Sequence, residues 1–162
     1  MPIQTGDTLP DATLLELTAD GPGPVDLGAL TKGRKIAMFG LPGAYTGTCT
    51  TAHVPSFIRT KDELKEKGIE EIICLAVNDP FVMGAWGRST GGSDAGIRFL
   101  GDADGALTKA MGLDFSAPPA GFYGRSQRYA MVVEDGKVTV LNIEDSPGTA
   151  EKSSGEALLA AL

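Results

Sequence analysis

Apolar residues along the chain fall into two kinds of run. "KIAMFGL" and "EIICLAV" are short and continuous, without polar alternation, and read as strands buried on both faces. Between them, residues 48–67 carry apolar positions at helical spacing. Val54, Phe57, Ile58 and Leu64 share one face, and Gly68 follows as a stop signal. Pro55 lies inside this segment and predicts a bend near its first turns. "NDP" opens another predicted helix, with Asn78 as cap and Pro80 in the first turn, carrying Phe81, Val82, Ala85 and Trp86. "GRSTGGSDAG" is a loop, "IRFLGD" a short strand and "GALTKAMGL" a short helix. "RYAMVVEDGKVTVLNI" is a hairpin that turns at Asp135-Gly136. "SSGEALLAAL" is a last helix begun by Ser153 or Ser154, and the Gly- and Pro-rich "TADGPGPVDLGALTKGRK" reads as loop plus a short turn. The predicted order is β-α-β-α-β-α-β-β-α, an α/β fold whose sheet is covered on both faces. In open sheets of this class, ligands bind at the carboxyl ends of the strands. "FGLPGAYTGTCTTAHVP" occupies such a place, where the first of these strands runs into its helix.

Composition narrows the classes. At 162 residues, 42% hydrophobic and 22% charged, the chain is expected to form one domain over residues 1–162 with a proper core. Its net charge is −7, with acids spread along the chain, which argues against nucleic acid as a partner. The one dense charge run, "KDELKEKGIEE", mixes signs and reads as the wet face of a helix. The first residues show no basic n-region followed by an apolar stretch, and no window reaches the ~18 apolar residues of a membrane span. A cytoplasmic protein without membrane contact is therefore expected, in a compartment that keeps thiols reduced. Two cysteines build no disulfide framework, so their interest is reactivity.

The only histidine, His53, stands four residues after Cys49, on one helical face. A structural zinc site needs about four ligands, and the chain holds three Cys and His in all, so no metal is expected. A phosphate loop would need a lysine after its glycines, and none follows Gly47. An activated thiol fits better. Cys49 lies at a helix start, where unpaired N–H groups and the helix dipole favour an anion. Thr46 can bring a hydroxyl near the sulfur, and Pro42 stiffens the start of the loop and shields it. Against this stands an inert buried cysteine, although the neighbours Gly47, Thr48, Thr50 and Thr51 are small and polar, unlike a core. His53 is either a helix residue bonded to nearby backbone or a base.

The residues Pro42, Thr46 and Cys49 in "PGAYTGTC" resemble the active-site signature of the peroxiredoxins, thiol peroxidases of thioredoxin-like fold. "FGLPGAYTGTCTTAHVPSF", "EIICLAVNDPFVMGAWG" and "RSQRYAMVVEDG" are similar, in order and spacing, to the type II or peroxiredoxin-5 subfamily, and together they span nearly the whole chain. The resemblance implies a thioredoxin-like central mixed sheet flanked by helices on both faces. It implies Cys49 as the peroxidatic cysteine, Thr46 as its hydrogen-bonding partner and Pro42 as its shield. Arg128 would be the arginine that favours the thiolate and stabilises charge along the O–O bond. Arg125, three residues earlier, competes for that role and otherwise reads as a solvated loop charge. Arg128 is preferred because it directly precedes a strand that fixes its direction. His53 matches a supporting histidine beside the site. No cofactor is implied, and the expected partners are hydrogen peroxide and alkyl hydroperoxides, a reductant and a second copy in a homodimer.

One departure bears on recycling. Some members carry a resolving cysteine near the C-terminus, and "EDSPGTAEKSSGE" has none. Cys74, the only other thiol, matches a second cysteine of plant-type and related bacterial members. Its place in "IICLAV" favours a buried structural thiol, and a resolving role, which would call for local unfolding, is the alternative. Reduction by glutathione with glutaredoxin, or by thioredoxin, is then expected. A peroxide-responsive redox sensor or holdase-type binding protein would need the same activated thiol and is the alternative.

Overall fold

The computed structural model describes residues 2–162. Its centre is a seven-stranded sheet. In chain order the strands are β1 (Thr13–Thr18), β2 (Gly21–Asp26), β3 (Lys35–Gly40), β4 (Glu71–Ala76), β5 (Arg98–Gly101), then β8 (Tyr129–Glu134) and β9 (Lys137–Ile143). The spatial order is β2-β1-β5-β4-β3-β8-β9, and β6 (Asp114–Ala117) with β7 (Phe122–Ser126) forms a separate ribbon. β3, β4 and β5 run parallel, whereas β8 runs antiparallel to β3.

The helices are α1 (Leu27–Thr31), α2 (Val54–Glu66), α3 (Pro80–Ser89), α4 (Ala106–Ala110) and α5 (Gly155–Ala160). Alternating side chains of the central strands feed two apolar layers. Ala37, Phe39, Cys74 and Ala130 pack with Phe57 of α2, Trp86 of α3 and Leu158 of α5. Ile36, Met38, Ile73 and Met131 face the other way, towards Leu27 of α1 and Leu107 of α4. This is the expected mixed sheet with helices on both faces, and its doubly buried strands explain why their sequences lack polar alternation. Trp86 is fully buried, its ring edge-on to Phe99 at 5.6 Å.

Several local expectations are corrected. Residues 21–31 are not loop: they form edge strand β2 and helix α1, capped by Asp26, whose side chain accepts from the Ala29 N–H. Pro22 and Pro24 hid the strand, yet proline is tolerated where an edge needs no further ladder donors. The ribbon β6–β7 is also absent from the expected order, its residues being half-exposed or exposed apart from the buried Ser126. α3 is capped by Asp79, whose carboxylate accepts from Val82 N–H at 2.9 Å, while Asn78 turns away to another task.

The bend expected at Pro55 takes a definite form. Cys49–His53 is a π-helical turn, with the Val54 N–H bonded to the Cys49 carbonyl, and α2 begins only after it. Pro55 has no N–H for the Thr51 carbonyl four residues back, and its ring crowds that carbonyl. The wider turn relieves both problems and inserts a residue just where the cysteine sits.

Sheet direction assembles the site. Because β8 is antiparallel to β3, the start of β8 lies beside the end of β3, with Gly40 paired to Tyr129. Residue 128 therefore arrives next to the loop that leaves β3. The pairing is close: a Cβ at Gly40 would collide with the Tyr129 ring.

Candidate active site

The loop after β3 turns sharply at Tyr45, whose φ of 64° is left-handed. Its inside is fixed by side chains from elsewhere. Asn78 Oδ1 accepts from Ala44 N–H at 2.9 Å, and Arg125 Nη1 donates to the Pro42 carbonyl at 3.0 Å. Arg125 also lies over the Phe122 ring, 5.5 Å from its centroid. The reading of Arg125 as a solvated charge is thus corrected: it clamps β7 to the cysteine loop, and at Gly43 a side chain would strike its guanidinium. The helical turn opens with Thr50 N–H on the Thr46 carbonyl at 3.1 Å, which puts Cys49 in the first turn, among the donors without an intrahelical acceptor.

Arg128 meets Cys49 there. Its Nη2 donates to the Cys49 sulfur at 3.1 Å and to the Pro147 carbonyl at 2.9 Å, Nε donates to the same carbonyl at 3.2 Å, and Nη1 donates to His53 Nδ1 at 2.9 Å. The guanidinium is buried. Placed so, it directs positive charge and an N–H at the sulfur in a low-dielectric setting. Of the two candidate arginines, Arg128 touches the thiol.

His53 is oriented by its neighbours. A guanidinium only donates and a backbone carbonyl only accepts. The bonds to Arg128 Nη1 and to the Ser153 carbonyl, 2.9 Å from Nε2, therefore define a neutral ring with its hydrogen on Nε2. Burial, and then the Arg128 charge, hold its pKa down at about 3, against the opposing pull of the Ser153 carbonyl. With both nitrogens engaged, His53 has no free lone pair with which to act as a base. It braces Arg128.

Cys49 itself is fully buried and packs in the apolar layer with Phe39 and Phe57. This corrects the expectation that small polar neighbours keep it out of the core: the polar groups lie along the chain and the apolar ones come from β3 and α2. Beside the site opens a depression of about 300 Å³, rimmed by Pro42, Thr46, Phe122, Arg128, Pro147 and Gly148. The Thr46 hydroxyl donates to the Gly43 carbonyl at 2.8 Å, leaving its oxygen lone pairs available to a ligand in the depression. Thr50, next to the cysteine, accepts from Trp86 Nε1 at 3.0 Å and ties the turn to α3.

Cys74 stands in β4 opposite Phe39, fully buried. Burial pushes its thiol well up, and the neighbouring Cys49 adds to this while Arg128 opposes. Both cysteines are free. What sequence reasoning missed are the Pro147 and Ser153 carbonyls and the Asn78 amide. A backbone acceptor leaves no trace in residue identity, and Asn78 looked like a helix cap.

The Redoxin family pattern matches residues 4–159. Peroxiredoxin-2C of Arabidopsis thaliana is 43% identical over 162 residues, covering 99% of this chain and 99% of its own length. The crystal structure of reduced Prx3 from Vibrio vulnificus in complex with hydrogen peroxide superposes with a TM-score of 0.89 at 45% identity, covering 98% of both chains. Peroxiredoxin 5 from Alvinella pompejana superposes with a TM-score of 0.85 at 33% identity, covering 99% of this chain and 97% of its own. With the thioredoxin-like sheet and the Cys49–Arg128 pair in hand, these matches place the chain in the redoxin family, among the type II peroxiredoxins.

Proposed function

We propose that the protein is a thiol-dependent peroxidase that reduces hydrogen peroxide and small alkyl hydroperoxides at Cys49. The observation that carries the reading is the Arg128 Nη2 donor, 3.1 Å from the Cys49 sulfur, held there by Pro147 and His53. The Cys49 thiolate attacks one peroxide oxygen. A sulfur–oxygen bond forms as the O–O bond breaks, the departing oxygen takes back from solvent the proton that the thiol released, and water or an alcohol leaves. The sulfur supplies both electrons and is left as sulfenic acid. Arg128 stabilises the negative charge as it passes from sulfur to the leaving oxygen. The Thr46 oxygen, its hydrogen committed to Gly43, accepts from the peroxide O–H and helps align it for attack. Arg125 keeps Pro42 at the rim. A buried sulfur beside a depression of about 300 Å³ favours small hydroperoxides.

Recycling falls to an external thiol, glutathione with glutaredoxin or thioredoxin, since Cys74 is buried and its thiol is kept protonated. The resulting cycle suits a reducing compartment such as the cytoplasm and an antioxidant role. A homodimer is supported by three large exposed aromatics, Tyr45, Phe81 and Tyr123, on the cysteine loop, α3 and β7. Peroxide-dependent oxidation of a thiol reductant should occur with the wild type and vanish in Cys49→Ser. Full activity in that variant would sink the proposal, and a wild type oxidised by peroxide without sustained turnover would favour a redox sensor instead.

A further inference from the structure

A buried carboxylate outside the residues discussed so far bears on the same site. Glu144 follows β9 directly and is 8% exposed. Its backbone N–H donates to the Arg128 carbonyl at 3.0 Å, so the two residues face each other at the end of the β8–β9 ladder. Its carboxylate is fully engaged. Oε2 accepts from the Ser153 N–H at 2.6 Å and from the Ser153 hydroxyl at 2.7 Å, and Oε1 accepts from the Thr149 hydroxyl at 3.0 Å. One side chain thus ties the start of a loop, residues 145–153, to its end.

The loop holds the groups that hold the site. The Pro147 carbonyl takes two bonds from Arg128, the Gly148 carbonyl accepts from the Thr48 hydroxyl at 3.0 Å, and the Ser153 carbonyl fixes His53. Apart from Cys49, both partners of the Arg128 guanidinium lead back to it: Pro147 directly, and His53 through Ser153. An irregular segment of this length loses much conformational freedom on ordering. The one ion pair within it, Lys152 to Asp145, is exposed, where ion pairs hold little. The buried, charge-assisted bonds of Glu144 are the strong ones.

We propose that Glu144 is a positioning residue for the chemistry of Cys49: its carboxylate closes the 145–153 loop and so fixes the Pro147 and Ser153 carbonyls that orient Arg128 and His53. The proposal rests on the peroxidase reading for the reaction it serves, but not for its geometry. Glu144→Gln keeps the shape while setting an amide N–H₂ or a weaker neutral acceptor against the Ser153 donors.

Three measurements on wild type and variant test it: the rate constant of Cys49 oxidation by hydrogen peroxide, the pH midpoint of Cys49 alkylation by iodoacetamide with the modified residue located by mass spectrometry, and the melting temperature. The expected result is a rate constant at least tenfold lower and an alkylation midpoint moved upward, because a displaced guanidinium no longer supports the thiolate. An unchanged midpoint overturns the proposal whatever the melting temperature does, since a merely structural carboxylate would leave it in place. A downward shift also overturns it, because that is the signature of removing a negative charge while Arg128 stays put. If Glu144→Gln does not fold, Ser153→Ala decides. It removes only the 2.7 Å bond and should move rate and midpoint in the same directions by a smaller amount, and no movement refutes the role. Alkylation uses no peroxide, so a wild type inert to peroxide would defeat the peroxidase reading and still leave the test of Glu144 intact.

Discussion

Arg128 and Cys49, 79 residues apart in the chain, meet in a bond of 3.1 Å between guanidinium Nη2 and sulfur. Hydrogen bonds to charged groups contribute about 1.5–3 kcal/mol, and each 1.4 kcal/mol is tenfold in rate. Arg128→Ala should therefore slow Cys49 oxidation by roughly ten- to a hundredfold or more in stopped-flow measurements with hydrogen peroxide. Arg128→Lys should recover little, because an ammonium cannot reach sulfur, Pro147 and His53 from one planar fork. Arg125→Ala, which frees the Pro42 carbonyl and uncovers the Phe122 ring but removes no bond to the sulfur, should cost less. A larger loss in Arg125→Ala than in Arg128→Ala would reverse the assignment.

His53 makes stability depend on pH in a window of its own. Its folded pKa of about 3 lies below the ordinary 6.5, so the unfolded chain binds the proton first. The stability it contributes is complete above pH 6.5 and is lost as pH falls towards 3. From pH 7 to pH 5 the loss should be about 2 kcal/mol in urea unfolding. No other histidine exists to confuse the window. The slope should flatten in His53→Asn, and a wild-type stability independent of pH over this range would contradict the buried neutral ring.

Gly40 carries the site's approach to the sheet. A methyl there would drive into the Tyr129 ring from the paired strand, so Gly40→Ala should destabilise by about 1–3 kcal/mol. Tyr129→Leu should restore part of the loss in the double variant, which chemical denaturation would reveal as non-additivity. Additive losses would place the clash elsewhere.

Cys74 is buried with its thiol pushed well up, opposite Phe39 in the middle of β4. After one equivalent of peroxide, mass spectrometry should find the added oxygen on Cys49 alone, in equal yield in wild type and Cys74→Ala. A Cys49–Cys74 disulfide would instead identify Cys74 as a resolving thiol and require local unfolding to bring the sulfurs together.

Much of this arrangement was legible in the chain. Continuous apolar runs marked β3 and β4, the Asp135-Gly136 turn (φ 49° and 78°) marked the β8–β9 hairpin, and the placement of Cys49 at a helix start followed from the apolar spacing behind it. The exposed and half-exposed parts were not legible. Strand β2 is rich in glycine and proline and the β6–β7 ribbon is weakly apolar, so tertiary pairing rather than local preference made them strands.

What the sequence determined by itself is what local physics controls: strand and helix periodicity, the proline that bends the chain a turn after Cys49, and the scarcity of cysteine and histidine that left an activated thiol as the chemistry. Which arginine serves that thiol, why His53 stays neutral, and how residues 145–153 support both were decided only by the tertiary structure. The antiparallel return of β8 brings Arg128 beside the end of β3. The bonds that then fix it run to backbone carbonyls and to a carboxylate far along the chain, and such acceptors carry no signature in the identity of neighbouring residues.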